Sequence, residues 1–146
     1  MITVRKAAII DLDAIIDLFD AYRVFYKQKT DKKSAKAFLK ARFEQQQSVI
    51  FIAKKSGVVV GFTQLYPIFS SVSMQKMFVL NDLYVDANER KQGIGEKLLI
   101  VAQKYATANN WKGLTLETAS DNPAQKLYER LGWQKDDNEY HYFWKA

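Results

Sequence analysis

The chain has 146 residues, with 22 lysines and arginines against 16 aspartates and glutamates, a formal charge of +6, one histidine and no cysteine. That length can bury a core unaided, so one domain over residues 1–146 is expected; the missing thiols exclude disulfides, thiolate metal sites and an acyl-cysteine intermediate, and His141 alone excludes a multi-histidine metal site. No apolar run is long enough to span a bilayer and the first residues lack a signal-peptide pattern, so a cytoplasmic protein without membrane or metal partners is expected.

Ile2 and Val4 alternate with Thr3 and Arg5, the period of a half-buried strand. Asp11 is placed to cap a helix in which Ile15, Leu18, Phe19, Tyr22 and Phe25/Tyr26 recur at helical spacing. Asp31 or Ser34 opens a second helix through Phe38, Leu39 and Phe43, and the cations crowd here: Lys27, Lys29, Lys32, Lys33, Lys36, Lys40 and Arg42. A solvated helix face explains them better than a nucleic-acid footprint, which needs more interleaved aromatics. Residues 48–55 and 58–69 read as a hairpin around Ser56-Gly57. Residues 76–86 form a long strand with Asn81 and Asp82 in its apolar middle, 94–108 a helix, and 111–119 a strand. Asn122-Pro123 starts a last helix that Gly132 stops, and 140–145, YHYFWK, alternates as a closing strand. The order β-α-α-β-β-β-α-β-α-β is that of a mixed α/β sheet with helices on its faces.

The stretch ERKQGIGEKLL, residues 89–99, sets Gly93 and Gly95 and the cations Arg90 and Lys91 where a helix begins. Small residues let backbone N–H groups approach a ligand, and a helix start favours negative charge. A phosphate-bearing ligand fits, as does a plain glycine cap. The P-loop pattern GxxxxGK[ST] is absent. The dinucleotide fingerprint fails because Leu98 stands where its third glycine belongs.

The wider segment LYVDANERKQGIGEKLL resembles the acetyl-CoA-binding segment of the GNAT (GCN5-related N-acetyltransferase) family, with Arg90, Gly93 and Gly95 in the Arg/Gln-x-x-Gly-x-Gly/Ala signature. LETASDNPAQKLYERLGW resembles the family's second segment through Asn122, Ala124, Leu127-Tyr128 and Gly132-Trp133. Lys91 stands where many members have glycine. The stretch FTQLYPIFSSVS followed by VLNDLYV is also similar to bacterial relatives of the yeast histone/polyamine-type enzymes. The resemblance implies a GNAT fold: a mixed, mostly antiparallel central sheet with splayed central strands and helices on both faces.

It also implies acetyl-CoA as cofactor. Backbone groups of Leu83, Tyr84 and Val85 would bind its pantetheine arm. N–H groups of Lys91, Gln92, Gly93, Ile94, Gly95 and Glu96 would hold the pyrophosphate, with Arg90 beside it and Asn122 touching the arm. Tyr128 matches the family's general acid. Attack requires a neutral amine and therefore a base; Asp82 is the first candidate and Glu117 the reserve. A strand N–H near Tyr84 or Val85 would serve the oxyanion. Tyr22, Tyr26, Gln64 and Tyr66 are expected around the acceptor, since aromatics can enclose an ammonium. The function so implied is acetyl transfer to a primary amine of a small molecule or lysine-like acceptor, by direct transfer in a ternary complex. A non-catalytic acyl-CoA-binding module is the alternative on the same fold. The aromatic C-terminal strand points to a homodimer.

Overall fold

Strand β1 (Ile2–Lys6) opens the chain in the computed structural model, which describes residues 1–146. It pairs antiparallel with β2 (Val49–Lys55), Ile2 opposite Lys55 and Lys6 opposite Phe51. Ser56 and Gly57 then turn the chain at φ 51° and 81°, the left-handed conformation that a tight hairpin needs. Next come β3 (Val58–Ser70) and β4 (Gln75–Val85), antiparallel to each other, and β5 (Leu114–Thr115), parallel to β4. The five strands stand in the order β1-β2-β3-β4-β5.

Helices cover both faces. α1 (Leu12–Phe25) and α2 (Lys32–Glu44) enclose one core built on Ile15, Phe19, Leu39, Ile52 and Phe62. α3 (Ile94–Ala108) encloses the other, with Phe51, Leu65, Phe78, Leu98, Leu99 and Ala102. Neighbours such as Phe51 and Ile52 point to opposite faces and are both buried, so β2 reads as a continuous apolar run. At Gly61 the sheet meets α3 closely: a Cβ there would lie 3.2 Å from both Ile94 Cγ2 and the Tyr84 carbonyl oxygen. The short α4 (Gln125–Arg130) packs Leu127 and Tyr128 on the α3 side.

Caps follow local chemistry. Asp31 accepts from Ser34 N at 3.0 Å and so starts α2. Asp11 precedes α1 but does not cap it. Its carboxylate reaches back to Ala8 N at 2.9 Å and accepts from both terminal guanidinium nitrogens of Arg5 at 2.8 Å, which ties β1 to the helix start. Three of the crowded lysines meet acids: Lys32 with Asp17, Lys36 with Asp13 and Lys40 with Glu44.

Two expectations need correction. The strand over 111–119 is only Leu114–Thr115, and 140–145 forms no strand at all. A strand needs an edge to pair with. The sheet ends on this side at β5, which offers only two residues. Alternating aromatics alone do not supply a partner.

Candidate active site

Counting by twos from Phe78 and Leu80 puts Asp82 on the α3 face. The structure puts it on the other. The β3–β4 register shifts between Gln64 and Leu65: Leu65 faces Leu80 while Gln64 faces Asp82, so Asn81 is an extra residue, a β-bulge. Phe78, Leu80, Leu83 and Val85 then serve the α3 core, and Tyr84 packs on the α1 side with Phe62. Asp82 is 2% exposed. Its carboxylate accepts from Gln64 Nε2 and, at 2.7 Å, from Asn81 Nδ2. The Tyr22 hydroxyl donates to the Asn81 carbonyl at 3.1 Å and sits beside the same carboxylate. Burial pushes the Asp82 carboxyl above the usual carboxylate range, against the pull of these three donors. A buried carboxyl with a raised pKa is, once ionised, a stronger proton acceptor than an ordinary carboxylate.

Tyr22 is the centre of an aromatic set. Its ring lies 5.0 Å from Tyr26, 6.0 Å from Phe62 and 6.1 Å from Tyr84. Burial, then Asp82, holds its hydroxyl protonated far above neutrality. Tyr66 is raised likewise, first by burial and then by Asp82. Tyr128 comes from the other side of the sheet, 6.1 Å from Trp133, and burial, then Tyr26, raises its hydroxyl. A tyrosine that keeps its proton at neutral pH can donate it, so a general-acid role is open to Tyr128.

At the head of α3 the chain turns through Lys91 (φ 63°) and Gly93 (φ 77°). The cleft here has a volume of about 340 Å³ and is walled by Val85, Arg90, Lys91, Gly93, Gly95 and Glu96 on one side and Leu127 and Arg130 on the other. A Cβ added to Gly93 or Gly95 would meet no atom within 4 Å, so both glycines turn an open face outward. The first-turn N–H groups have no intrahelical acceptor, and the helix dipole favours an anion there. Arg90 donates from Nε to the Val85 carbonyl at 3.1 Å and lies over the rings of Tyr84, at 5.4 Å, and Phe25, at 5.8 Å. Glu96 is held by Arg130 at 2.8 and 3.1 Å, and Glu89 by Lys55 at 2.7 Å, so both acids near the cleft are neutralised. These residues fit a diphosphate.

Between cleft and carboxylate runs the outer edge of β4. β5 pairs with β4 only at Phe78 and Val79, and no strand lies beside Leu80 to Val85 on that side. The Asp82 carbonyl faces β3, where it accepts from Thr63 Oγ1 at 2.8 Å, and Asp86 N also faces β3, bonded to Val60 O. Alternation therefore turns the peptide groups of Leu83 and Val85 outward and that of Tyr84 inward.

The structure thus brings together Asp82, Tyr22, Tyr26, Gln64, Tyr66 and Tyr84, with Arg90 and the glycine cleft at one end of the strand. Glu117 stands apart from Asp82. It is exposed, paired to His141 at 3.1 Å, and lines with Tyr128 a separate cleft of about 990 Å³. Asn122 is occupied in building the turn before α4: its Oδ1 accepts from Ala124 N at 2.9 Å and its Nδ2 donates to Thr118 Oγ1 at 2.9 Å. The sequence reading missed Phe25 under Arg90 and Arg130 against Glu96. A short helix start carries no signal for such long-range partners. It also left Arg42 among the solvated cations, whereas its Nε is buried.

Known proteins resemble this chain in sequence and fold. The model of the acetyltransferase (GNAT) family matches residues 12–133. The uncharacterized N-acetyltransferase YhfO of Bacillus subtilis is 49% identical over 140 residues, covering 95% of this chain and 94% of its own. A crystal structure of a probable acetyltransferase aligns with TM-score 0.93 at 33% identity, over 99% of this chain and 97% of that one. An aminoglycoside N-acetyltransferase in complex with CoA aligns with TM-score 0.81 at 18% identity, over 100% of this chain and 96% of that one, a likeness of fold. A family match over most of the length, and a near relative sharing about half of the aligned residues, agree with what the bulged strand and the glycine cleft suit: the chain belongs to the GNAT family, whose members use acetyl-CoA, and is an N-acetyltransferase.

Proposed function

We propose that the chain moves the acetyl group of acetyl-CoA onto a primary amine of a small molecule or lysine-like acceptor, directly, in a ternary complex. One observation carries the reading: the unpaired edge of β4 runs from Asp82 to the glycine cleft. Acetyl-CoA, when bound, supplies the thioester carbonyl that the amine attacks. Peptide groups of Leu83 and Val85 bind the pantetheine arm, with Tyr84 fixing the strand against β3. N–H groups from Lys91 to Glu96, including Gln92 and Ile94, hold the diphosphate with Arg90, and Asn122 closes the arm's far side. The Val85 N–H serves the developing oxyanion. Asp82 takes the proton of the acceptor's ammonium, directly or through water, within the ring of Tyr22, Tyr26 and Tyr66. Tyr128 Oη gives a proton to the departing thiolate. The absence of cysteine in the sequence supports transfer without an acyl-cysteine. The working unit in this reading is a homodimer, supported by Tyr140, Tyr142, Phe143 and Trp144, each 82–89% exposed.

Calorimetric titration with acetyl-CoA, with NADH as the control, tests the cofactor. Gly93→Asp puts a side chain and a negative charge into the cleft and is expected to abolish binding while the protein stays folded. Amines are then screened by released CoA thiol. Tyr128→Phe is expected to lower kcat by roughly 10²-fold with acetyl-CoA affinity kept. Wild-type protein that binds no acetyl-CoA would end the reading.

A further inference from the structure

Only two buried side-chain polar atoms lack a hydrogen-bond partner, Gln64 Oε1 and Arg42 Nε. One accepts and the other donates. Buried polar atoms are seldom left unmatched, so an acceptor and a donor of this kind are open to a ligand or an ordered water. Both belong to the α1/α2 side. Gln64 lies on β3 with its amide on Asp82. Arg42 lies in the last turn of α2, its guanidinium 4.5 Å from the Phe38 ring centroid. Tyr66 links them: two residues beyond Gln64, it shares that residue's face and lies within electrostatic reach of both Asp82 and Arg42.

Arg42 has no acid to answer it. Asp13 and Asp17 of α1 are held by Lys36 and Lys32, and Glu44 of α2 by Lys40. Asp20, the buried acid of α1, is used by Thr30 Oγ1 and Asp31 N. Asp82 is held by Gln64 and Asn81. A guanidinium presents a planar fork that matches a carboxylate. A polyamine would instead bring a second ammonium toward this cation.

We infer that the acceptor is an aminocarboxylate, its amine received by Gln64 Oε1 and Asp82 and its carboxylate by Arg42. The inference rests on the transferase reading and narrows its substrate class. Arg42 is then a specificity residue, remote from the acetyl group.

The test is a series of aminocarboxylates of increasing chain length, each paired with its carboxamide and accompanied by a polyamine, assayed with acetyl-CoA by thiol release. Wild type should favour at least one carboxylate over its carboxamide by about tenfold or more in KM, the scale of one charge-assisted hydrogen bond. Arg42→Gln should erase that preference through KM rather than kcat, Arg42→Lys should restore part of it, and both variants should still bind acetyl-CoA. Equal KM for every carboxylate and its carboxamide, a polyamine as the best acceptor, or equal losses on both partners of a pair in Arg42→Gln would overturn the inference. The same pairs are titrated calorimetrically in the presence of CoA. If no amine is acetylated, binding of a carboxylate that Arg42→Gln abolishes keeps the inference and removes the catalytic reading. Binding that does not distinguish carboxylate from carboxamide overturns the inference whether or not there is turnover.

Discussion

Asp82 combines three properties in one side chain: it is buried, bonded to Gln64 and Asn81, and raised in pKa by burial. Between its ordinary value of 3.8 and the higher folded value, the native state holds more proton than the unfolded chain. Its contribution to stability is therefore complete below that ordinary value and is lost as pH rises through the folded pKa. Asp82→Asn should flatten this part of the stability profile and leave the protein no less stable at neutral pH, because the Gln64 amide can turn its free oxygen to the new NH₂. As the proposed base, Asp82 must be ionised to work, so wild-type kcat/KM should rise with pH on its acid limb. Asp82→Asn should lose that limb and roughly 10²-fold in kcat. Thermal melts and rates across a pH series check both. Unchanged rates would remove Asp82 from the chemistry.

At the scale of elements, the position of α3 decides whether the glycine cleft exists. The helix lies on the sheet at Gly61, where an added side chain would have to push Ile94 and the Tyr84 carbonyl aside. Gly61→Val should cost about 1–3 kcal/mol by overpacking and should weaken acetyl-CoA binding at the same time, because the head of the same helix is displaced. A melting temperature equal to wild type would show that this contact does not hold the helix. The elements legible in the sequence were those with a strong period and their own punctuation: α1, α2, α3 and the β2–β3 hairpin. The signature glycines marked the cleft because their spacing is local. What stayed hidden depended on partners. YHYFWK has the period of a strand and no ladder to join. Asp11 looked like a cap and was taken by Arg5 from across the β1 turn. The face of Asp82 depended on a bulge that period-two counting cannot see.

Over the whole molecule, two apolar cores are separated by one sheet, and the proposed chemistry sits where that sheet gives up a strand pairing. The C-terminal aromatics lie outside both cores. In the homodimer reading a second copy covers them. Sedimentation at micromolar concentration should then show a dimer, and removal of residues 140–146 should leave a monomer. A monomer for the intact chain would remove that part of the proposal.

The bulge at Asn81 has a further consequence for how this strand was built. Subtracting Asn81 would leave Leu80 facing α3 and Asp82 facing α1 in an ordinary pleat, with every other side chain on the face it now occupies. For burial, the residue is surplus. What would vanish are the bend that a bulge gives a strand and the amide that holds one oxygen of the Asp82 carboxylate. Folding and the proposed catalysis thus make separate demands on β4, and this one spare position is where they part.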